Sequence, residues 1–229
     1  MSQRVGVVSF PGSNCEFDVA SALERLGAST RLVWHHETDL AGLDAIVIPG
    51  GFAHGDYLRP GAIARFSPVM GALSAFAQDG GPVVGICNGF QVLTEAGLLP
   101  GALRPNRSLR FICAEVRCAV ESSASVLTSQ LAVGTTLTLP VNHYEGNYTC
   151  TAATLAELEA NGQVVLRYRD NPNGSIGDVA GIANAAGNVV GLMPHPERAV
   201  DPLTGSVDGV ALLSSFLHAA STRQVVRAR

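Results

Sequence analysis

The chain contains no lysine, because all 15 of its basic residues are arginine among 229 residues in total. A protein without lysine cannot form a lysine Schiff base, carry a P-loop lysine or use lysine as a general base. The simplest cause is a base-composition bias of the genome. Chemistry on a nucleoside triphosphate would therefore require arginine, backbone groups or a partner chain.

Several other features are also missing. No apolar run reaches the ~18 residues of a membrane-spanning helix, and the N-terminal segment has no signal-peptide pattern. The five cysteines include no C-x-x-C pair, which argues against a disulfide framework and a zinc knuckle. The net charge of −4 provides no basic field for nucleic acid. We therefore expect a cytoplasmic protein without a metal site and without membrane or nucleic-acid partners.

The composition that is present, with 47% hydrophobic and 15% charged residues, is typical of a globular protein. In the first hundred residues, short apolar runs alternate with segments of helical periodicity, which predicts an α/β fold with a mostly parallel sheet flanked by helices. The predicted strands are 4–9, 30–35, 45–49 and 82–86. The predicted helices are one opened by a capping box at Ser13-x-x-Glu16, one over 62–78 and one over 91–96.

The remainder of the chain is poorer in helical periodicity. Residues 109–139 are rich in Val, Thr and Ser, which predicts antiparallel strands added to the sheet. The sequence also predicts a short helix over 155–160, a hairpin over 181–193 and a closing helix over 207–219. Because no linker or repeat interrupts the chain, we interpret residues 1–229 as one domain. Ligands of such sheets bind beyond the carboxyl ends of the strands.

Cys87 stands where a predicted strand turns into a helix, with Gly85 and Gly89 two residues to either side. This spacing is that of a nucleophile elbow, with cysteine in place of serine. The glycines allow a sharp turn, and a sulfur at a helix N-terminus is favoured as thiolate. The alternative is a buried cysteine in the core of the sheet.

Two other predicted strand ends suit the same chemistry. Gly50 and Gly51 follow the third strand, where free backbone N–H groups could hold an oxyanion together with the N–H of Asn88; the alternative is an ordinary turn. His195 lies between two prolines after a late strand, and Glu197 could bond its other ring nitrogen. Thiol, imidazole and carboxylate would then form a triad, although a single histidine is often structural.

These elements together resemble the class I (triad) glutamine amidotransferases. The resemblance rests on Gly85-x-Cys87-x-Gly89-x-Gln91, Pro49-Gly50-Gly51 and His195-Pro196-Glu197. It narrows to the glutaminase subunits of phosphoribosylformylglycinamidine synthase through further motifs, which are Phe10–Cys15, Gly50–Phe52, Gly55–Arg59, Gly61–Arg65, Cys87–Gln91, Asn171–Ser175 and Met193–Arg198. The sequence departs from this family at Tyr144, where the family often has glycine.

The resemblance implies a single flavodoxin-like amidotransferase domain and a role for each site residue. Cys87 would attack the side-chain amide of glutamine, while the backbone amides of Gly51 and Asn88 hold the oxyanion. His195 would act as acid and then base, oriented by Glu197. The implied substrate-binding residues are Gln91, Asn173, Gly174 and Ser175.

The resemblance also implies partners. Ammonia would pass to an ATP-dependent synthetase subunit of the PurL type, which makes formylglycinamidine ribonucleotide from formylglycinamide ribonucleotide in purine synthesis. A small subunit of the PurS type is implied as well. No cofactor is implied for this chain, and ATP and Mg²⁺ would bind the synthetase.

Two alternatives remain open at this point. One is a cysteine hydrolase of the DJ-1 and intracellular-protease type on the same scaffold, and the other is a binding module without catalysis. Gln91 and the His-Pro-Glu element argue against the first, and the intact triad residues argue against the second. Among other residues, we expect Cys15 and Trp34 to pack structurally. His143 is a candidate partner of the site residues, and the alternative for it is a structural histidine.

Overall fold

The computed structural model describes residues 2–227, so residues 1, 228 and 229 of the predicted domain lie outside the described part. Its strands are β1 (Arg4–Ser9), β2 (Ser29–Trp34), β3 (Ala45–Ile48), β4 (Val83–Ile86), β5 (Ala102–Arg104), β6 (Ile112–Val120), β7 (Thr136–His143), β8 (Asn147–Thr149), β9 (Val164–Tyr168), β10 (Val179–Ala183) and β11 (Val189–Leu192). Its α-helices are α1 (Glu16–Arg25), α2 (Pro68–Gln78), α3 (Asn88–Glu95), α4 (Ala152–Ala160) and α5 (Gly209–Arg227).

Nine of the strands form one sheet in the order β2-β1-β3-β4-β11-β10-β9-β6-β7. Neighbours from β2 to β11 pair in parallel, and neighbours from β11 to β7 pair antiparallel. Strands β5 and β8 form a separate antiparallel pair. The predicted α/β class, with antiparallel strands added to a mostly parallel sheet, is confirmed.

The pattern of buried residues differs between the central parallel strands and the antiparallel edge strand β7. Strands β3, β4 and β11 are buried at every residue, as expected for parallel strands covered on both faces. Strand β7 alternates between buried and partly exposed residues over most of its length, which is the pattern of a strand with one covered face. The apolar runs of the sequence thus become the centre of the sheet.

Three local predictions are wrong. Helix α1 begins at Glu16 without a capping box, because the Ser13 hydroxyl accepts the N–H of Phe10 at 3.0 Å instead. The helix predicted over 62–78 is broken at Ser67, which is extended because Pro68 disfavours a helical residue before it. Trp34 is 46% exposed, since it lies on the edge strand β2.

Short elements escaped the sequence analysis as well. Strands β5 and β8 were not predicted because each has only three residues, and β9 was missed although turn residues flank it at Asn161-Gly162 and Asn171-Pro172. No helix within residues 2–227 is long and apolar enough to cross a membrane.

Candidate active site

The carboxyl ends of β1, β3, β4 and β11 meet at one edge of the sheet and surround a cleft of about 240 Å³. Each strand end contributes at least one residue to the lining. These residues are Cys15 after β1, Gly51 after β3, Cys87 after β4 and His195 after β11. The opposite wall is formed by residues 142–145, which are the last two residues of β7 and the two that follow it.

Cys87 occupies a sharp turn between β4 and α3, with φ 52° and ψ −105°. The flanking glycines are required by close backbone contacts. A Cβ atom on Gly89 would lie 2.0 Å from the carbonyl oxygen of Ile48, and one on Gly85 would lie 2.6 Å from the backbone of Gly89. The strand-turn-helix context is the one that a nucleophile elbow requires.

His195 and Glu197 form a buried pair beside the cysteine. Nδ1 of His195 lies 2.6 Å from Oε1 of Glu197, and both side chains are at most 2% exposed. Burial alone would lower the pKa of His195, but the negative charges of Glu197 and Cys87 raise it well above the ordinary value. Nε2 of His195 is buried without a hydrogen-bond partner among the described residues, so it is free to exchange a proton with a ligand in the cleft.

The two residues predicted to hold an oxyanion lie on either side of Cys87. Asn88 is the first residue of α3, so its backbone N–H has no partner within the helix. Gly51 has φ +142°, and a Cβ atom there would lie 2.8 Å from the backbone nitrogen of Asn14. Gly51 lines the same cleft as Cys87, and Asn88 directly follows Cys87, so both residues lie beside the predicted nucleophile.

Gln91 lines the cleft, but both ends of its amide group already have partners. Its Nε2 donates to the carbonyl oxygen of Glu145 at 2.6 Å, and its Oε1 accepts from the Asn88 amide at 2.9 Å. Gln91 thus ties α3 to the opposite wall of the cleft.

The structure does not bring Asn173, Gly174 and Ser175 to the cleft. The Asn173 amide donates to the carbonyl oxygen of Gly146 at 2.8 Å, and the Ser175 hydroxyl accepts the N–H of Tyr148 at 3.0 Å. These hydrogen bonds hold the backbone at Gly146 and Tyr148, next to the wall of the cleft. Direct contact with glutamine, as predicted, would require them to exchange these bonds.

Sequence reasoning missed Asn106, which is fully buried and makes four hydrogen bonds. Its amide donates to the carbonyl oxygens of Arg110 and His143 at 2.9 and 3.0 Å, and its Oδ1 accepts from the N–H of Gly146 and faces Nδ1 of His143. Burial, followed by the charge of His195, lowers the pKa of His143 to about 4. No sequence signal pointed to Asn106, because its partners come from distant segments.

Cys15 also differs from expectation, since it lines the cleft rather than only packing. Its sulfur accepts from Nη2 of Arg198 at 3.2 Å, and Arg198 also pairs with Asp18. Ligand atoms of Cys15, His195 and Glu197 lie within 4.8 Å of one another, a grouping that could hold a metal ion. A cation there would face the Arg198 guanidinium and compete with the bond between His195 and Glu197.

Comparison with known proteins agrees with this geometry. Residues 2–210 match the model of the CobB/CobQ-like glutamine amidotransferase domain. The chain therefore belongs to the glutamine amidotransferase family.

Individual relatives belong to a narrower group within this family. The chain is 61% identical over 217 residues to phosphoribosylformylglycinamidine synthase subunit PurQ of Rubrobacter xylanophilus, covering 95% of this chain and 99% of the relative. It is 54% identical to the PurQ subunit of Lacticaseibacillus paracasei, covering 99% and 100%. The solved structure of PurLQS from Thermotoga maritima includes a chain that superposes with a TM-score of 0.89 at 41% identity, covering 95% and 99%.

Proposed function

We propose that this chain, as one domain over residues 1–229, is the glutaminase subunit of a phosphoribosylformylglycinamidine synthase. The observation that carries the proposal is the position of Cys87 at the elbow, in one cleft with His195, whose other ring nitrogen pairs with buried Glu197. The identity to PurQ subunits over nearly the whole chain supports this assignment.

The proposed reaction begins when the Cys87 sulfur attacks the side-chain carbonyl carbon of glutamine. The backbone N–H groups of Gly51 and Asn88 stabilise the resulting oxyanion. His195 donates a proton to the departing nitrogen, which leaves as ammonia, and a γ-glutamyl thioester remains on Cys87. His195 then accepts a proton from water, whose attack on the thioester releases glutamate and restores the thiol.

The names of the relatives support a proposal for the protein partners. We propose that ammonia passes to a synthetase subunit of the PurL type, with a small subunit of the PurS type in the same complex. The synthetase would bind ATP and Mg²⁺ and convert formylglycinamide ribonucleotide to the amidine, so this chain requires no cofactor of its own. The five free cysteines fit the reducing cytoplasm, where we place the complex.

Cys87→Ala tests the proposal. We expect the variant to lose glutamine hydrolysis while it still folds, as measured by ammonia release in the presence of the synthetase and by circular dichroism. Cys113→Ala, which removes an exposed cysteine of β6, is the matched control and should retain activity. Activity of Cys87→Ala close to that of the wild type would refute the triad.

Labelling with a diazo-ketone analogue of glutamine tests the choice of nucleophile. Cys15 lies in the same cleft and Cys113 is exposed, so proximity and exposure alone would label those residues. We expect peptide mass mapping to find the label on Cys87. A label on Cys15 instead would move the nucleophile to the end of β1.

A further inference from the structure

The lining of the cleft includes two carboxylates without a compensating cation. Asp56 and Glu145 are the two carboxylates of its lining, and no arginine belongs to that lining. Within residues 2–227, neither carboxylate forms an ion pair. A cleft with this charge favours a ligand that carries a cationic group.

Asp56 is held close to the nucleophile by a strained segment of backbone. It follows β3 with φ 53°, a left-handed conformation that costs energy in a residue with a side chain. Its Oδ1 accepts from the side-chain amide of Asn88 at 3.1 Å, and Asn88 directly follows Cys87. One side chain therefore connects the carboxylate to the elbow.

Glu145 comes from the opposite wall. Its backbone carbonyl accepts from Gln91, which in turn accepts from Asn88, so the Asp56 carboxylate and the backbone of Glu145 connect to α3 through one chain of hydrogen bonds. No described residue donates a hydrogen bond to the Glu145 carboxylate, which leaves that group available to a ligand.

The electrostatics of the two groups agree with this placement. Burial raises the pKa of Asp56 to about 6 against the lowering effect of the Asn88 hydrogen bond, and the charge of Glu145 adds to the increase. Burial also raises the pKa of Glu145. Each raised pKa belongs to a carboxylate that has no cation beside it, and a bound ammonium group would lower both pKa values.

We propose that Asp56 and Glu145 bind the α-ammonium group of glutamine and so select an amino acid over a simple amide. This inference rests on the proposed function. The reacting amide lies between Cys87 and the unpartnered Nε2 of His195, and the ammonium group lies at the other end of the cleft. Gln91 also lines this cleft.

The test compares glutamine with glutaramate, which has the same side-chain amide and terminal carboxylate but no ammonium group. The assay uses the chain in complex with its synthetase partner and measures kcat/KM for both amides. Asp56→Asn is a suitable variant because asparagine tolerates φ > 0 and its oxygen can still accept from Asn88. Glu145→Gln is tested separately, and Glu157→Gln, on the exposed face of α4, is the control.

We expect Asp56→Asn to lower kcat/KM for glutamine by about ten- to a hundredfold, as for loss of a charged hydrogen bond. The value for glutaramate should be unchanged or higher, so the preference for glutamine collapses. Glu145→Gln should act in the same direction. If glutaramate turns over too slowly, its Ki as a competitive inhibitor replaces kcat/KM and should not rise in the variants.

Two results would overturn the inference, and they are distinguishable. In the first, the wild type hydrolyses glutamine, but the variants lose kcat/KM equally for glutamine and for glutaramate. Asp56 and Glu145 would then support the structure of the cleft without binding the ammonium group. If the wild-type complex hydrolyses neither amide, the proposed function fails and this inference fails with it.

Discussion

The parallel and antiparallel halves of the sheet contribute to the cleft in different ways. Strands β1, β3, β4 and β11 place their residues through the backbone, because each functional residue lies within a few positions of a buried strand end. The antiparallel half contributes one wall, residues 142–145, at the end of β7. That wall is fixed by the side chains of Asn106, Asn173 and Gln91.

This difference suggests that the two halves of the sheet govern different kinetic parameters. The reacting groups sit on the rigid half, where little can move, whereas the wall that faces the substrate depends on exchangeable hydrogen bonds. A change to a reacting group of the parallel half should therefore affect mainly kcat, and a change in the network should affect mainly KM. Four predictions test this comparison.

The largest effect is expected for Glu197→Gln in the parallel half. The substitution removes the charge that stabilises a protonated His195 and that selects its tautomer, and we expect kcat to fall by about 10²–10⁴-fold. KM should change little, because Glu197 does not line the cleft. Steady-state kinetics of the complex measure both parameters.

Glu157→Gln is the matched control for this charge removal, since Glu157 is exposed on α4. A loss in kcat of less than tenfold for Glu197→Gln would contradict the orienting role of Glu197. A rise in KM of the same size as the loss in kcat would contradict the view that the two halves govern different kinetic parameters.

Asn106→Ala tests the antiparallel half. The substitution leaves backbone groups of His143 and Gly146 without their partner, and we expect a loss of about 2–3 kcal/mol in the free energy of unfolding. KM for glutamine should rise more than kcat falls, because the wall loses its support. Urea denaturation and steady-state kinetics give the two measurements.

Asn161→Ala, at the exposed end of α4, is the control for loss of an asparagine. If Asn106→Ala lowered kcat with an unchanged KM, the wall would belong to the catalytic apparatus, and the two halves would not be separable in this way.

The two halves also differ in how far the sequence predicted them. The elbow at Cys87, the glycine pair and the His-Pro-Glu segment were predictable because each is a local pattern at the end of an apolar run. The parallel topology then brings such ends together without further information. The catalytic roles of these residues stay predictions until they are tested.

The wall was not predictable for a physical reason. Asn106, His143 and Gly146 meet only after β6, β7 and the separate β5–β8 pair have formed, and no local pattern encodes hydrogen bonds across such distances. Cys15 was missed for a related reason. A cysteine near a strand end resembles a packed residue until the position of Arg198 is known.

The third prediction concerns pH, because the two halves face each other through Asp56 and Glu145. With a pKa of about 6, Asp56 is mostly ionised at pH 7 and mostly protonated at pH 5, so KM for glutamine should rise by about tenfold over this range. Asp56→Asn should give a nearly flat KM. The other titratable groups of the cleft are Glu145, His143, Tyr144, Cys15, Cys87 and His195.

A constant wild-type KM between pH 7 and pH 5 would show that the Asp56 charge does not contribute to binding. A slope that persists in Asp56→Asn would assign the pH dependence to another group of the cleft, of which Glu145 is the first to test because the pKa of its carboxyl is also raised.

The smallest effect concerns the backbone of the rigid half itself. Cys87 has φ 52° and ψ −105°, a conformation that costs a residue with a Cβ atom about 1–3 kcal/mol and costs glycine almost nothing. Cys87→Ala and Cys87→Gly both lack the sulfur, but glycine loses up to about 1 kcal/mol more entropy on folding. We therefore expect Cys87→Gly to be more stable than Cys87→Ala by about 1 kcal/mol in urea denaturation. At Cys113, in the regular strand β6, the same pair should show the opposite order by about 0.5–1 kcal/mol. If Cys87→Gly were less stable than Cys87→Ala by the same amount as at position 113, the elbow would store no strain, and the precision of the parallel half would then come from packing alone.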